Sequence, residues 1–293
     1  MSNKTFKIRL PKHHFLSQEK IFALLIFISV SISVSALNPS GTYAVIPSDY
    51  GLNYKEVSIA ATDGIKLNSW IFLPSTPSKK FVVISDDGNG NMADNLEVVG
   101  QFLSLGYNVL TYDYRGYGKS DSFHINQNFF IYSQFAKDLQ GVIDYLRKNY
   151  SPGYCDLYGI GIGAGLSIGL GCTNAQVRRI IADGTYSSLE QAKKELKEHR
   201  NQEVLLPLAY DKNLIEPQYA LSVGMNQDKL QGILIIVGQN EDVFGPGDVK
   251  QLQKIHPRNL GIYIVPNSTN EKNLTANKDE YFNQVKKFVT SHQ

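Results

Sequence analysis

Short apolar runs alternate with amphipathic stretches along most of this chain. Residues 57–60 and 66–72 are two β-rich runs, and Asp63-Gly64 between them is a hairpin turn signal. Residues 81–85 (FVVIS) form a continuous apolar run that predicts a buried strand. Residues 95–105 predict a helix with Leu96, Val99, Phe102 and Leu105 on one face. A strand over 108–114 follows, then a long helix over 130–149 with Phe135, Leu139, Val142, Ile143 and Leu146 apolar. Residues 155–158 read as a strand leading into a glycine-rich helix that ends near Cys172. Strands are expected at 179–183, 233–237 and 260–265, and a helix at 278–290 closes the chain. This rhythm predicts the α/β class, with a mostly parallel central sheet and helices on both faces.

Residues 189–229 break the rhythm. They offer one helical patch and then loop-rich sequence with Pro207 and Pro217, which reads as a small lid or insertion over the carboxyl ends of the strands. With no internal repeat and no Pro/Ser-rich linker, residues 38–293 read as one domain.

The first 37 residues have a different character. Ile21 to Leu37 carries no charge, five Lys/Arg and one Glu precede it, and Val34-Ser35-Ala36 supplies a small-residue cleavage pattern. This predicts a secretory signal peptide or a signal anchor, and hence a domain outside the cytoplasm, either periplasmic or secreted or held at a membrane through that segment alone. Removing this segment changes the charge balance: residues 38–293 hold 24 Lys/Arg against 26 Asp/Glu. That balance excludes a broad polybasic surface for nucleic acid. Two cysteines exclude a disulfide framework. Export permits a bond between Cys155 and Cys172, but two separate buried thiols are the more economical reading.

Three segments carry a family likeness: Thr62-Asp63-Gly64 with Trp70 and Pro74, the run Asp113-Tyr114-Arg115-Gly116-Tyr117-Gly118-Lys119-Ser120, and the turn Gly159-Ile160-Gly161-Ile162-Gly163. Together they resemble the α/β-hydrolase fold family, in its serine aminopeptidase/monoacylglycerol lipase-like branch. The resemblance implies a strand-turn-helix bearing Gly-x-Ser-x-Gly, an acid after a later strand and a histidine after the last. Here Gly161 stands at the nucleophile position, Glu241 (with Asp242 beside it) at the acid position, and Asn270 at the histidine position. Glycine has no attacking oxygen, and an asparagine amide is no base near neutral pH. The oxyanion loop implied by the resemblance is Asp87, Gly88 and Asn89, with the Ile162 N–H as its second donor. A carboxylate at Asp87 is expected to repel developing negative charge.

Rival readings exist for several of these residues. Gly165-Leu166-Ser167-Ile168-Gly169 also fits Gly-x-Ser-x-Gly, but it does not follow a strand, so Ser167 reads as a small residue of a buried helix. His124, after the Asp113–Ser120 loop, is the one histidine expected near such a site and the only partner for a displaced serine such as Ser167, Ser120 or Ser85. Asp87, Asn89, Asn91 and Asp94 alternate like the start of a calcium loop, yet Met92 and Val98 occupy positions that need glycine and glutamate, so no metal is expected. The glycine turn with Asp183 downstream resembles a dinucleotide fingerprint, but the neighbouring motifs explain it better and no cofactor is expected. The expectation is an exported, non-catalytic homologue of serine hydrolases that binds a small molecule or a protein. The alternative is an active esterase, lipase or peptidase with a displaced nucleophile.

Overall fold

The computed structural model describes residues 36–223, 229–255 and 259–291. The leader expected over 1–37 lies almost wholly outside the described residues. The fold is carried by an eight-stranded sheet: β1 (Tyr54–Ala60), β2 (Lys66–Phe72), β3 (Phe81–Ser85), β4 (Asn108–Tyr112), β5 (Cys155–Ile160), β6 (Val177–Asp183), β7 (Gly232–Gly238) and β8 (Leu260–Val265). Across the sheet the order is β8-β7-β6-β5-β3-β4-β2-β1. β1 pairs antiparallel with β2, and β2 antiparallel with β4; the remaining neighbours are parallel. The mostly parallel sheet expected from the alternation is thus the one the chain forms. Every residue of β3 and β7 is buried, which is why these strands read as unbroken apolar runs.

Both faces are covered. Val82 and Ile84 of β3 join one core cluster with Val99 and Phe102 of α1 (Leu96–Ser104), while Val83 joins the other with Phe135 and Leu139 of α2 (Gln134–Tyr150). The buried helix α3 (Ile162–Thr173) packs in the second cluster.

Several boundaries differ from expectation, each for a local reason. β4 stops at Tyr112 rather than 114, because Asp113 turns away and its carboxylate accepts the Met92 and Lys119 N–H groups at 3.0 and 3.2 Å and the Tyr43 hydroxyl. The long helix begins at Gln134 rather than 130, since the Phe130 N–H donates to the Leu205 carbonyl at 2.9 Å and holds that stretch against the lid. The insertion holds three helices rather than one patch and a loop: α4 (Leu189–Arg200), α5 (Lys212–Ile215) and α6 (Pro217–Val223). Ser188 and Asp211 accept first-turn N–H groups of α4 and α5, and Pro217 opens α6, where a missing N–H does no harm. A helix absent from the sequence reading, α7 (Pro246–Ile255), buries only Val249 and Leu252. The chain then forms α8 (Asn273–Ala276) and α9 (Lys278–Ser291).

Cys155 and Cys172 are free and buried, and burial pushes both thiols up to about 12, so neither is a thiolate near neutrality. Among the described residues no helix is long and apolar enough to cross a membrane.

Candidate functional site

The site is built on a sharp turn whose backbone favours glycine. β5 runs to Ile160, the chain reverses at Gly161 with φ 53° and ψ −116°, and α3 begins at Ile162. Residues with a Cβ rarely adopt this conformation. The turn is also tight: a Cβ on Gly159 would strike the Gly163 backbone, and one on Gly163 would strike the carbonyls of Ser85 and Asp86. Strand, helix and the end of β3 therefore meet backbone to backbone, and Gly161 stands at the apex. A Cβ there would lie 3.0 Å from the Cβ of Asp87.

Contacts join this apex to the other two expected positions. The Gly161 N–H donates to the Asp183 carbonyl at 2.8 Å. The next residue, Gly184, lies against Asn270, whose Cβ is 3.1 Å from where a Gly184 Cβ would be. The Asn270 N–H donates to Glu241 Oε2 at 2.9 Å. Gly161, Asn270 and Glu241 are thus linked at the carboxyl ends of β5 to β8. The Glu241 side chain is 5% exposed, and its Oε1 accepts from the Val243 N–H at 3.1 Å and from Arg200 at 3.2 Å. The neighbouring Asp242 points outward and meets the same Arg200 at 3.1 Å, so the last turn of α4 is tied to the acid loop. The Asn270 amide faces backbone: Oδ1 accepts the Gly238 N–H at 2.9 Å and Nδ2 donates to the Phe244 carbonyl at 3.3 Å.

The oxyanion loop is closed by its own acids. The Gly88 N–H donates to Asp86 Oδ1 at 3.0 Å and the Asn89 N–H to Asp87 Oδ1 at 2.7 Å. The Gly88 N–H, expected to remain free as half of a donor pair, is therefore engaged. Burial raises the pKa of Asp86, the charge of Asp87 adds to that, and burial raises Asp87 as well. The expected repulsion from a charged Asp87 is correspondingly reduced. One of the two expected donors, the Gly88 N–H, is thus already bonded.

The alternative nucleophiles are not paired with a base. Ser167 Oγ is fully buried in α3 with no hydrogen-bond partner. Ser85 Oγ lies 3.0 Å from the Tyr112 hydroxyl, and Ser120 Oγ donates to the Asp113 carbonyl at 2.8 Å. His124 is exposed on its loop. His199 sits on α4 beside Glu195 at 3.2 Å. His13, His14, His256 and His292 lie outside the described residues. The run read as a calcium-like pattern is used internally: Asn91 accepts the Ala93 N–H at 3.1 Å and Asp94 the Asn91 N–H at 3.1 Å, closing a cap.

Asp183 has a different use from the one a nucleotide fingerprint would give it. It is buried, and its carboxyl accepts from Asn273 Nδ2 at 2.6 Å and the Tyr281 hydroxyl at 2.7 Å; the Tyr158 hydroxyl lies 2.7 Å from that of Tyr281. Burial pushes Asp183 up to about 7. No local pattern marks this network beside the elbow, because its bonded partners sit 90 to 123 positions apart in a chain whose tyrosines are spread throughout. Two clefts of about 560 and 530 Å³ open beside the lid, one bordered by Lys193, Lys197 and Glu203, the other by Lys212 and Glu216. Neither is lined by Gly161, Glu241 or Asn270.

The strand order, the elbow and the loops at the carboxyl ends of β5, β7 and β8 define an α/β-hydrolase fold. Comparison with known proteins agrees. Residues 76–221 match the family model described as serine aminopeptidase, S33. The chain is 26% identical over 156 residues to the alpha/beta hydrolase domain-containing protein WAV2 of Arabidopsis thaliana and 28% over 150 residues to protein bem46 of Schizosaccharomyces pombe. Each match covers about half of either chain (51% and 49% of this one, 48% of each relative), so the chain spans about half the length of these relatives. A solved esterase of Pyrococcus furiosus superposes with a TM-score of 0.70 at 18% identity, covering 87% of this chain and 97% of that one, and shares the fold. The chain belongs to the α/β-hydrolase family.

Proposed function

We propose that this protein binds a ligand, a small molecule or another protein, at a hydrolase-type centre that has no cleavage chemistry, and that it works outside the cytoplasm. One observation carries the reading: the apex residue, Gly161, lacks an attacking oxygen, while the residue at the base position, Asn270, has both amide atoms bonded to backbone. Acyl transfer needs a nucleophile, a base within hydrogen-bond reach and free donors for the oxyanion. Gly161 and Asn270 provide neither of the first two, and Asp86 takes the Gly88 N–H, one donor of the third, while Asp87 takes the adjoining Asn89 N–H. The Glu241 carboxyl, which would orient a histidine, instead holds the Asn270 backbone. Export follows from the basic residues and apolar run of the first 37 positions.

Treating the full-length protein with a fluorophosphonate probe tests the reading. No serine is expected to be captured. Covalent capture of any serine, with Ser167, Ser120 and Ser85 the ones to map first, overturns it and returns the protein to the active hydrolases.

A further inference from the structure

Leu37, which the sequence pattern places at the end of the apolar leader, is fully buried beside the elbow. Its Cδ2 lies 2.9 Å, and Ile162 Cδ1 2.8 Å, from where a Cβ on Gly88 would stand. Gly88 has φ 89°, so this position is closed to other residues by conformation and by crowding together. Leu37 therefore covers the oxyanion loop next to the residue that follows the apex. The backbone around it forms a short parallel ladder with the loop, separate from the central sheet. Asn38 and Pro39 pair in parallel with Asn89 and Gly90. The Asn38 N–H donates to the Gly88 carbonyl and the Ser40 N–H to the Gly90 carbonyl, both at 2.9 Å. On the other side, the Ala36 and Leu37 N–H groups donate to the Gln127 carbonyl at 3.0 and 3.2 Å. Asn38, Gly41 and Thr42 are exposed, so Leu37 is the segment's one fully buried anchor.

Main-chain pairing for affinity and one pocket for a side chain are the two parts of strand-addition recognition. We propose that the groove over the oxyanion loop is a binding site for an extended polypeptide with a leucine-like anchor, filled here in cis by residues 36–40. The inference rests on reading the centre as a binding site and names its ligand class. The cis segment lowers the apparent affinity for a peptide in trans by the fraction of time it occupies the groove.

The test uses the full-length chain, its Leu37→Asp variant and a fluorescein-labelled peptide with the sequence of residues 35–42. By fluorescence anisotropy, the variant is expected to bind the peptide saturably and the wild type about tenfold more weakly or less. The same peptide carrying Asp in place of its leucine is expected not to bind. Absence of saturable binding to a folded variant overturns the proposal. Hydrogen exchange on the wild type decides the matter if Leu37→Asp does not fold. Amides of Asn38 and Ser40 exchanging at least about tenfold faster than those of β3 and β5 mark a displaceable segment, whereas exchange in step with those strands marks an integral one and overturns the proposal. Fluorophosphonate capture would sink the non-catalytic reading without altering these results, and failure of peptide binding would leave the capture result standing.

Discussion

Two clusters of buried acids, one at the amino ends of β5 and β6 and one around the elbow, are satisfied in opposite ways. At the amino end, Asp156 of β5 meets Arg179 of β6: Nε donates to Oδ1 at 3.1 Å, Nη2 lies 3.0 Å from Oδ2, and the Tyr107 hydroxyl donates to the same carboxylate at 2.8 Å. Arg179 also donates to the Val289 carbonyl, so the pair closes the core beneath α9. Around the elbow, Asp86, Asp87 and Asp183 are held by backbone N–H groups, amides and a tyrosine hydroxyl, with no Lys or Arg among their hydrogen-bond partners in the described residues. Burial raises the pKa of all three. A buried ion pair that satisfies its own hydrogen bonds keeps both charges, while burial without a cation shifts an acid toward its protonated form. The difference separates a charge-paired cluster in the core from an unpaired one beside the elbow.

Breaking the amino end has the largest expected effect. Arg179→Met leaves Asp156 buried without its main partner, and truncating one member of a buried pair costs about 3–5 kcal/mol. Chemical denaturation of the variant against wild type measures it; a loss below about 1 kcal/mol, the range of an exposed pair, contradicts the assignment.

The cluster around the elbow is sharpened by pH. Asp183 rises from 3.8 to about 7, so the fold favours its protonated form. The stability this contributes is complete below pH ~4 and is lost as pH climbs from there through 7, over a range of up to about 4 kcal/mol. Asp183→Asn removes the titrating proton while keeping an amide able to meet Tyr281 and Asn273. Its Tm is expected to vary less than wild type's between pH 4 and 7 and to exceed it at pH 8. An unchanged pH slope places the titration elsewhere.

Gly161 tests the same cluster from its backbone. A side chain at φ 53°, crowded against Asp87, costs about 1–3 kcal/mol. Gly161→Ser and Gly161→Ala are expected to lose equal stability in thermal melts. Gly161→Ser, alone or with Asn270→His, is expected to give no turnover of p-nitrophenyl acetate above that of wild type, because the Gly88 and Asn89 N–H groups remain bonded to Asp86 and Asp87. Turnover from the single variant would remove Asn270 from the base position.

The sheet was readable because two-sided burial writes itself as apolar runs, as in Phe81–Ser85, and because turns such as Asp63-Gly64 need special residues. The elbow was readable for the same reason: Gly159 and Gly163 are required by contact rather than by habit. The lid was not. α5 is four residues long and α7 buries two side chains, too few for a helical period to emerge. The occupancy of the oxyanion loop was equally hidden, since whether a carboxyl repels a ligand or binds its own neighbours' N–H groups depends on torsions that Asp86-Asp87-Gly88-Asn89 does not spell out. Leu37 reads as leader because it is contiguous with an apolar run; only the pairing of Asn38 and Pro39 with Asn89 and Gly90, some fifty residues on, shows where it is buried.

Ser167 separates motif from place with the smallest effect. It lies in a Gly-x-Ser-x-Gly that the elbow itself lacks, and local pattern alone cannot tell this stretch from an active elbow. Its surroundings can. The residue is fully buried in α3 between Leu166 and Ile168, themselves buried, and its Oγ has no partner. A hydroxyl taken from water and left unpaired is a net cost, so removing it relieves desolvation without breaking a bond, while the space left is about that of one atom. Ser167→Ala is therefore expected to be neutral or to stabilise by up to about 1 kcal/mol in urea denaturation. A nucleophile would behave otherwise, since its hydroxyl would be bonded to a base and its loss would leave that base unpaired. Destabilisation beyond about 1 kcal/mol would show that Ser167 has a partner, and would make the displaced-nucleophile alternative the one to pursue.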